Sequence, residues 1–301
     1  MKDGMVLINK PEGISSARVV SQVKKIFHVK KAGHTGTLDP FATGLLPVAL
    51  GQATRLSRFF LGGAKRYRAT ITLGIETDTY DRTGRIVHQA DPENLGAIEP
   101  EQVQHAVAGF TGRQWQTAPS FSALKHQGQP LYKLARQGQM IQKPARPIEI
   151  FSIRMTAVNL PEFDLDVHCS GGTYIRSLAH DIGEQLGCGA HLSGLCRTGV
   201  SHFTLDQAHE LDILSGLPRD RSVIPMTDCL PFLPRIQVDD MMAEKISHGM
   251  KLSDQNVRSC RTEPLPAGTP VRVMDPEDRL IAVIEADPDK AEYNYCCVFS
   301  R

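Results

Sequence analysis

Short strand-like and helix-like stretches follow one another along this 301-residue chain without a regular strand–helix–strand rhythm, and that irregularity most limits what it can become. A doubly wound parallel sheet needs the rhythm; its absence predicts an α+β fold with a mixed, largely antiparallel sheet. Val6-Leu7-Ile8 reads as a short buried strand ended by Asn9-Lys10-Pro11-Glu12-Gly13. Ser15 or Ser16 can cap a helix whose apolar positions Val19, Val20, Val23, Ile26 and Phe27 keep the helical period. Leu45 to Leu50 is a second apolar run, 52–61 reads as helical, and Tyr67 to Ile75 alternates like a strand. Helices are predicted near 100–108, over 130–137 with closure at Gly138, and from Tyr174 to Leu186 with closure at Gly187. Ile148–Val158 and Phe163–Cys169 read as further strands. Pro225, Pro231 and Pro234 suggest a linker, beyond which pieces such as 271–273 and 280–284 predict a small β-rich unit.

Charge narrows the function. Residues 1–204 carry 23 Lys and Arg against 16 Asp and Glu, while residues 205–301 carry 11 against 17. The 47 residues from Gln102 to Ile148 contain no acid; they hold Arg113, Lys125, Lys133, Arg136, Lys143 and Arg146 among Trp115, Phe121 and Tyr132. Basic residues interleaved with aromatic ones suit a phosphate backbone and unstacked bases, though charge alone describes a solvated basic face equally well. Seven cysteines, an odd count without a CxxC pair, predict reduced thiols. The spacing Cys188, His191, Cys196, with Cys169 and His180 upstream, lacks the two close ligand pairs of a structural zinc site, so no metal is expected. No run of eighteen apolar residues occurs, and the apolar part of the N-terminus is too short for a signal peptide. A soluble cytoplasmic protein is therefore expected.

The chain has no Walker loop, no GxGxxG after a strand, no HExxH and no GxSxG. What remains is a cofactor-free site built on a carboxylate. His34 to Gly44 reads His-Thr-Gly-Thr-Leu-Asp-Pro-Phe-Ala-Thr-Gly. Its glycines and proline brace a loop around Asp39, and Pro40 biases Asp39 away from helical backbone angles. Alone, this is an Asp-Pro turn.

The full segment resembles the catalytic motif G-H-T-G-x-L-D-P-x-A-T-G of TruB-type tRNA pseudouridine synthases. Four other stretches agree in the same order. Lys10-Pro11-Glu12-Gly13-Ile14-Ser15-Ser16 resembles the family's K-P-x-G-x-S-S element, and Lys65-Arg66-Tyr67 its K-x-Y segment. Pro119 to Lys125 resembles P-x-x-S-A-x-K, and Gly172-Thr173-Tyr174-Ile175-Arg176 the G-T-Y-I-R element. The resemblance spans roughly residues 5–200.

That resemblance implies a pseudouridine synthase fold and isomerisation of the uridine at position 55 in the T-arm of tRNA, without cofactor or metal. It implies Asp39 as nucleophile and Arg176 as its partner, holding the carboxylate ionised with a lowered pKa. Whether Asp39 attacks the ribose, attacks the ring or assists a glycal route stays open. Tyr67 would stack on the flipped uracil, its hydroxyl serving proton transfer from C5. Tyr174 and Leu195 would line the pocket, His34 would contact the opened RNA loop, and Asp81 could hold His34. Gly171-Gly172 would let a phosphate or base approach the following helix. Residues about 111–148 resemble the family's insertion over the tRNA arm, a segment suited to ordering on binding, with Lys125, Lys133 and Arg136 as phosphate contacts. Residues 1–233 would form the catalytic domain and 234–301 a PUA-like RNA-binding domain, whose acidic balance is unusual for an RNA binder. No membrane or obligate protein partner is expected.

Two alternatives accompany this reading. One is an RNA-binding or RNA-folding protein without catalysis, against which the set Asp39, Tyr67 and Arg176 speaks. The other is a relative guided to a different RNA by an RNA–protein complex, against which the bacterial-looking layout without long charged tails speaks.

Overall fold

The computed structural model describes residues 3–258, 260, 268–287 and 292–300. The two apolar runs form neighbouring antiparallel strands, β1 (Gly4–Lys10) and β3 (Thr43–Leu50). Between them lie helix α1 (Ser16–Ile26) and the short strand β2 (Ala32–His34), which pairs with β3. Ser15 caps α1 by accepting from the Arg18 N–H at 3.3 Å. The runs are continuous because β1 and β3 are buried on both faces. Val6, Ile8, Leu46 and Val48 pack into one apolar cluster, and Met5, Leu7, Leu45 and Ala49 into another.

The main sheet continues through β4 (Lys65–Leu73). Its inward residues Tyr67, Ala69, Ile71 and Leu73 alternate with outward Arg66 and Arg68. Helix α2 (Pro100–Ala108) leads to β5 (Gly112–Gln116), then β6 (Arg146–Asn159) and β7 (Glu162–Cys169). Helix α3 (Ile175–Gln185) precedes β8 (Ala190–Val200). The order is residues 209–210, β1, β3, β8, β4, β7, β6, β5. The β3–β8 pairing is parallel, as is that of β1 with 209–210; the other neighbours on this path are antiparallel. Val19 and Val23 of α1, Val103 and Val107 of α2, and Leu178, Ala179 and Ile182 of α3 cover one face. Each such fully buried aliphatic side chain contributes on the order of 1.5–3 kcal/mol.

A second, five-stranded sheet follows in the order 235–237, 271–274, 280–286, 292–298, 252–253. Met274, Leu280, Val283, Cys297 and Phe299 join the cluster beneath Met5, Leu7 and Phe60. The proline-rich stretch is not a free linker, since Cys229, Leu230 and Leu233 are buried in that same cluster.

One crossing is tight. Gly44 at the start of β3 has φ +98°, and a Cβ there would stand 2.4 Å from the Arg197 carbonyl oxygen and 2.7 Å from its nitrogen. Both obstacles are backbone, so Gly44→Ala is expected to destabilise the protein by about 3 kcal/mol or more. Urea denaturation measures it: a midpoint equal to wild type would mean that β3 and β8 part without cost.

Candidate active site

Asp39 lies in the loop between β2 and β3, and three buried groups hold that loop from below. The Ser16 hydroxyl at the start of α1 donates to the Leu38 carbonyl (2.9 Å) and accepts from the Leu38 N–H (2.8 Å). Lys10 is fully buried; its ammonium donates to the carbonyls of Pro11 (2.9 Å), Ile14 (2.8 Å) and Pro40 (3.2 Å). Burial lowers the Lys10 pKa to about 8. Arg197 of β8, 1% exposed, donates to the carbonyls of Leu45 (2.8 Å), Thr37 (3.3 Å) and Gly36 (3.1 Å). Lys10 and Ser16 belong to the first sequence motif and fasten the residues flanking Asp39 in the second. Two motifs far apart in composition are thus one object in space.

Above the loop, the Asp39 carboxylate meets Arg176 of α3, with Oδ2 2.9 Å from Nε and Oδ1 3.4 Å from Nη2. Arg176 is 4% exposed, and its guanidinium is shared among several acceptors. Its Nη1 lies 3.4 Å from Asp81 Oδ2 and donates to the Thr79 carbonyl at 2.9 Å, while Nη2 donates to the Phe121 carbonyl at 2.9 Å. Asp81 is therefore a second carboxylate on Arg176 rather than a support for His34. Its Oδ1 accepts from the Thr79 hydroxyl, the Thr83 N–H and the Thr83 hydroxyl. His34 instead accepts through Nδ1 from the Gly36 N–H at 3.3 Å, and burial beside Arg197 lowers its pKa.

Asp39 lines a cavity of about 290 Å³. Tyr67, Tyr174, Arg176 and Leu195 line it together with Asp39, and Ala123 and Leu124 of the basic segment close one side. The volume is at the small end for ligand pockets. Tyr67 is buried, which raises its phenol pKa while the Arg197 cation opposes the rise. Asp39 departs from the sequence expectation. Burial pushes its carboxyl above the ordinary aspartate value, Asp81 adds to that, and Arg176 and Lys10 pull the other way. Desolvation, with the neighbouring Asp81 charge added to it, outweighs the ion pair here.

The basic segment carries a small hairpin, 125–130, turning on Gln127 and Gly128, both at positive φ. A helix over Leu131–Arg136 follows, packed through Leu131, Leu134 and Ala135. Lys125, Lys133 and Arg136 are exposed and stand away from the cavity lining. Gly171 does not open space for a ligand: a Cβ there would meet the Leu61 carbonyl oxygen at 2.5 Å. Cys188, His191 and Cys196 form no common ligand group among the described residues, and the His191 ring contacts the Ile75 carbonyl instead. The sequence reading had no place for Arg197 or for the fastening by Lys10. Arg197 sits in a Gly-flanked stretch without a helical or strand period, whereas Lys10 was visible within its motif.

This chain is similar in sequence to known pseudouridine synthases. It is 43% identical over 276 residues to tRNA pseudouridine synthase B of Geobacter sulfurreducens, covering 90% of each chain. It is 42% identical over 289 residues to the Burkholderia pseudomallei enzyme of the same name, covering 94% of this chain and 93% of the other. The protein is accordingly a pseudouridine synthase, an isomerase. Residues 24–175 match the N-terminal domain of the TruB family of pseudouridylate synthases, and 176–222 match the tRNA pseudouridylate synthase B C-terminal domain. The chain belongs to the TruB family. Among solved structures, a chain of a Cbf5–Nop10–Gar1 complex superposes with TM-score 0.74 at 28% identity, over 95% of this chain and 78% of that one. A chain of an H/ACA RNP bound to a substrate RNA containing 2'-deoxyuridine superposes with TM-score 0.71 at 26% identity, over 94% and 78%.

Proposed function

We propose that this enzyme converts the uridine at position 55 in the T-arm of tRNA to pseudouridine, with Asp39 as nucleophile and no cofactor. The observation that carries the reading is the Asp39–Arg176 pair opening onto a cavity lined by Tyr67, Tyr174 and Leu195. The relatives' names supply tRNA as substrate class, and a carboxylate set within a cavity favours a base drawn out of its stack. The reaction balances without an external reagent. The C1'–N1 bond breaks, the base turns, a C1'–C5 bond forms, C5 loses a proton and N1 gains one. Asp39 serves the bond exchange; Tyr67 stacks on the base and serves the proton on C5. Tyr174 and Leu195 confine the uracil, and His34 meets the opened loop in its neutral form.

Residues 1–233 act as the catalytic domain and 234–301 as a PUA-like RNA-binding domain, in the cytoplasm. No membrane association or obligate protein partner is required; among the described residues, no helix is long and apolar enough to cross a membrane. Release of tritium from C5-labelled uridine in a tRNA transcript tests the reading. Wild type should release it from the T-loop position; no release would overturn the catalytic reading, and release from elsewhere would overturn the site assignment.

Lys125, Lys133 and Arg136 contact the phosphates of the arm. Replacing all three by alanine should flatten the slope of log affinity against log salt by about 2–3. Filter binding across a salt series measures it, and an unchanged slope removes these residues from the interface.

A further inference from the structure

We propose that Arg146 holds a phosphodiester of the RNA strand next to the flipped uridine, at the mouth of the Asp39 cavity. The inference rests on the reading above, that the cavity takes a nucleotide drawn out of an RNA strand. Arg146 opens β6, where it pairs in register with Gln116 of β5. Both side chains grip the segment ahead of α3. Gln116 clasps the Tyr174 backbone from both sides, accepting from its N–H at 2.8 Å and donating to its carbonyl at 3.0 Å. The Arg146 guanidinium lies 4.9 Å from the centre of the Tyr174 ring, and its Nη2 donates to the Gly172 carbonyl.

Gly172 gives the chain its turn here: it has φ +90°, which L side chains rarely adopt, and a Cβ there would meet the guanidinium only at ordinary contact distance. The cation is therefore seated by an aromatic face below and a carbonyl at one corner. Its position is prepared before any ligand arrives, which lowers the ordering cost of binding.

What distinguishes Arg146 is what it leaves open. Among the described residues lining the cavity, the other cations are committed. Arg176 is shared by Asp39 and Asp81, Arg197 is spread over three carbonyls, and the Lys65 ammonium donates to those of Phe60, Leu61 and Gly63. Arg146 forms no ion pair with any described carboxylate; its buried Nε has no hydrogen-bond partner, as is also true of Arg176 Nε, but the latter faces the Asp39 carboxylate at 2.9 Å. A guanidinium without a counter-charge at the mouth of a cavity is a receptor for a phosphate. A uridine turned into the cavity brings its own flanking phosphates to that mouth. The positive end of α3, an eleven-residue helix, adds to the attraction.

The experiment uses a T-arm transcript in which the phosphate 5' or 3' of the target uridine is replaced, one at a time, by a neutral methylphosphonate. In wild type, one of the two replacements should weaken binding about tenfold. Arg146→Ala should weaken binding to the unmodified transcript about as much, with the salt slope reduced by about one. Combined, the two losses should not add, because each removes the same contact. The effect should fall on Kd more than on the single-turnover rate constant, and Arg146→Lys should restore the salt slope but only part of the affinity. Additive losses at both linkages, or an unchanged slope in Arg146→Ala, would overturn the proposal and leave Arg146 as a brace for Tyr174. Tritium release by wild type on the unmodified transcript runs alongside, so failure of the isomerase reading appears there and not as additivity.

Discussion

Asp39→Asn is expected to slow tritium release by about 10⁴-fold or more while leaving tRNA affinity within about threefold. The amide keeps the volume and can still accept from Arg176, but it cannot act as a nucleophile. The fold should tolerate the change, because Arg176 retains Asp81 as counter-charge and the loop is fastened by Ser16, Lys10 and Arg197. The sign of the stability effect follows from the raised carboxyl pKa of Asp39. Its contribution to stability is fully present below the unfolded pKa and is lost as pH rises through the folded one. Wherever it is ionised, the partly desolvated carboxylate therefore opposes folding, and Asp39→Asn should melt at the wild-type temperature or slightly above it. The same direction shapes activity. The wild-type rate should fall on acidification with a midpoint above that of an ordinary aspartate, since the nucleophile must be ionised. A variant retaining a tenth of wild-type release would show that Asp39 is not the nucleophile.

Arg176→Gln should damage both chemistry and fold. Removing a preorganised charge from a reacting centre costs about 10²–10³-fold in rate. Two carboxylates would lose their shared cation, and breaking a buried ion pair by deleting one partner costs about 3–5 kcal/mol. The clearest readout is the pH profile. Arg176 pulls the Asp39 pKa down against burial, so its removal should move the acid limb of the rate to higher pH. Arg176→Lys keeps a charge but not the planar fork that serves Asp39, Asp81, Thr79 and Phe121 together. It should bring the acid limb back toward wild type while recovering little of the rate. An acid limb that stays in place in Arg176→Gln would refute the coupling.

How much could be read from the chain depended on whether the determinants were local. Helix α1 is legible because Ser15 caps it and Val19 and Val23 recur on its buried face. Strand β4 is legible because one face meets helices and the other meets solvent. Strand β8, central to the sheet, escapes the same reading. Its pairing with β4 shifts register between Leu192 and Gly194 and again between Arg197 and Gly199, which breaks the two-residue alternation. The packing of the linker stretch escapes the sequence for a related reason. Prolines mark where regular structure stops, but they do not report that Cys229, Leu230 and Leu233 are covered by a distant sheet. Within the site, the motifs' resemblance to the family pointed to Asp39 and Arg176 but not to their electrostatics. The pairing of Arg176 with Asp81 and the desolvation of Asp39 arise from residues brought together across the fold, and no local pattern encodes them.

The hydrogen bond from Arg176 to the Phe121 carbonyl has a thermodynamic corollary. Phe121 belongs to the basic segment that also carries Lys125, Lys133 and Arg136, so the guanidinium beside Asp39 is tied to the part of the chain farthest from it in character. Coupling of this kind is reciprocal: whatever favours the docked position of that segment favours the engaged arginine by the same factor, and the converse holds. If, as proposed, an RNA arm docks on the outer segment, one that fits poorly carries its misfit inward as a looser hold on Arg176. Discrimination between substrates can in this way be exercised at the reacting carboxylate, without any direct reading of the mismatched nucleotides.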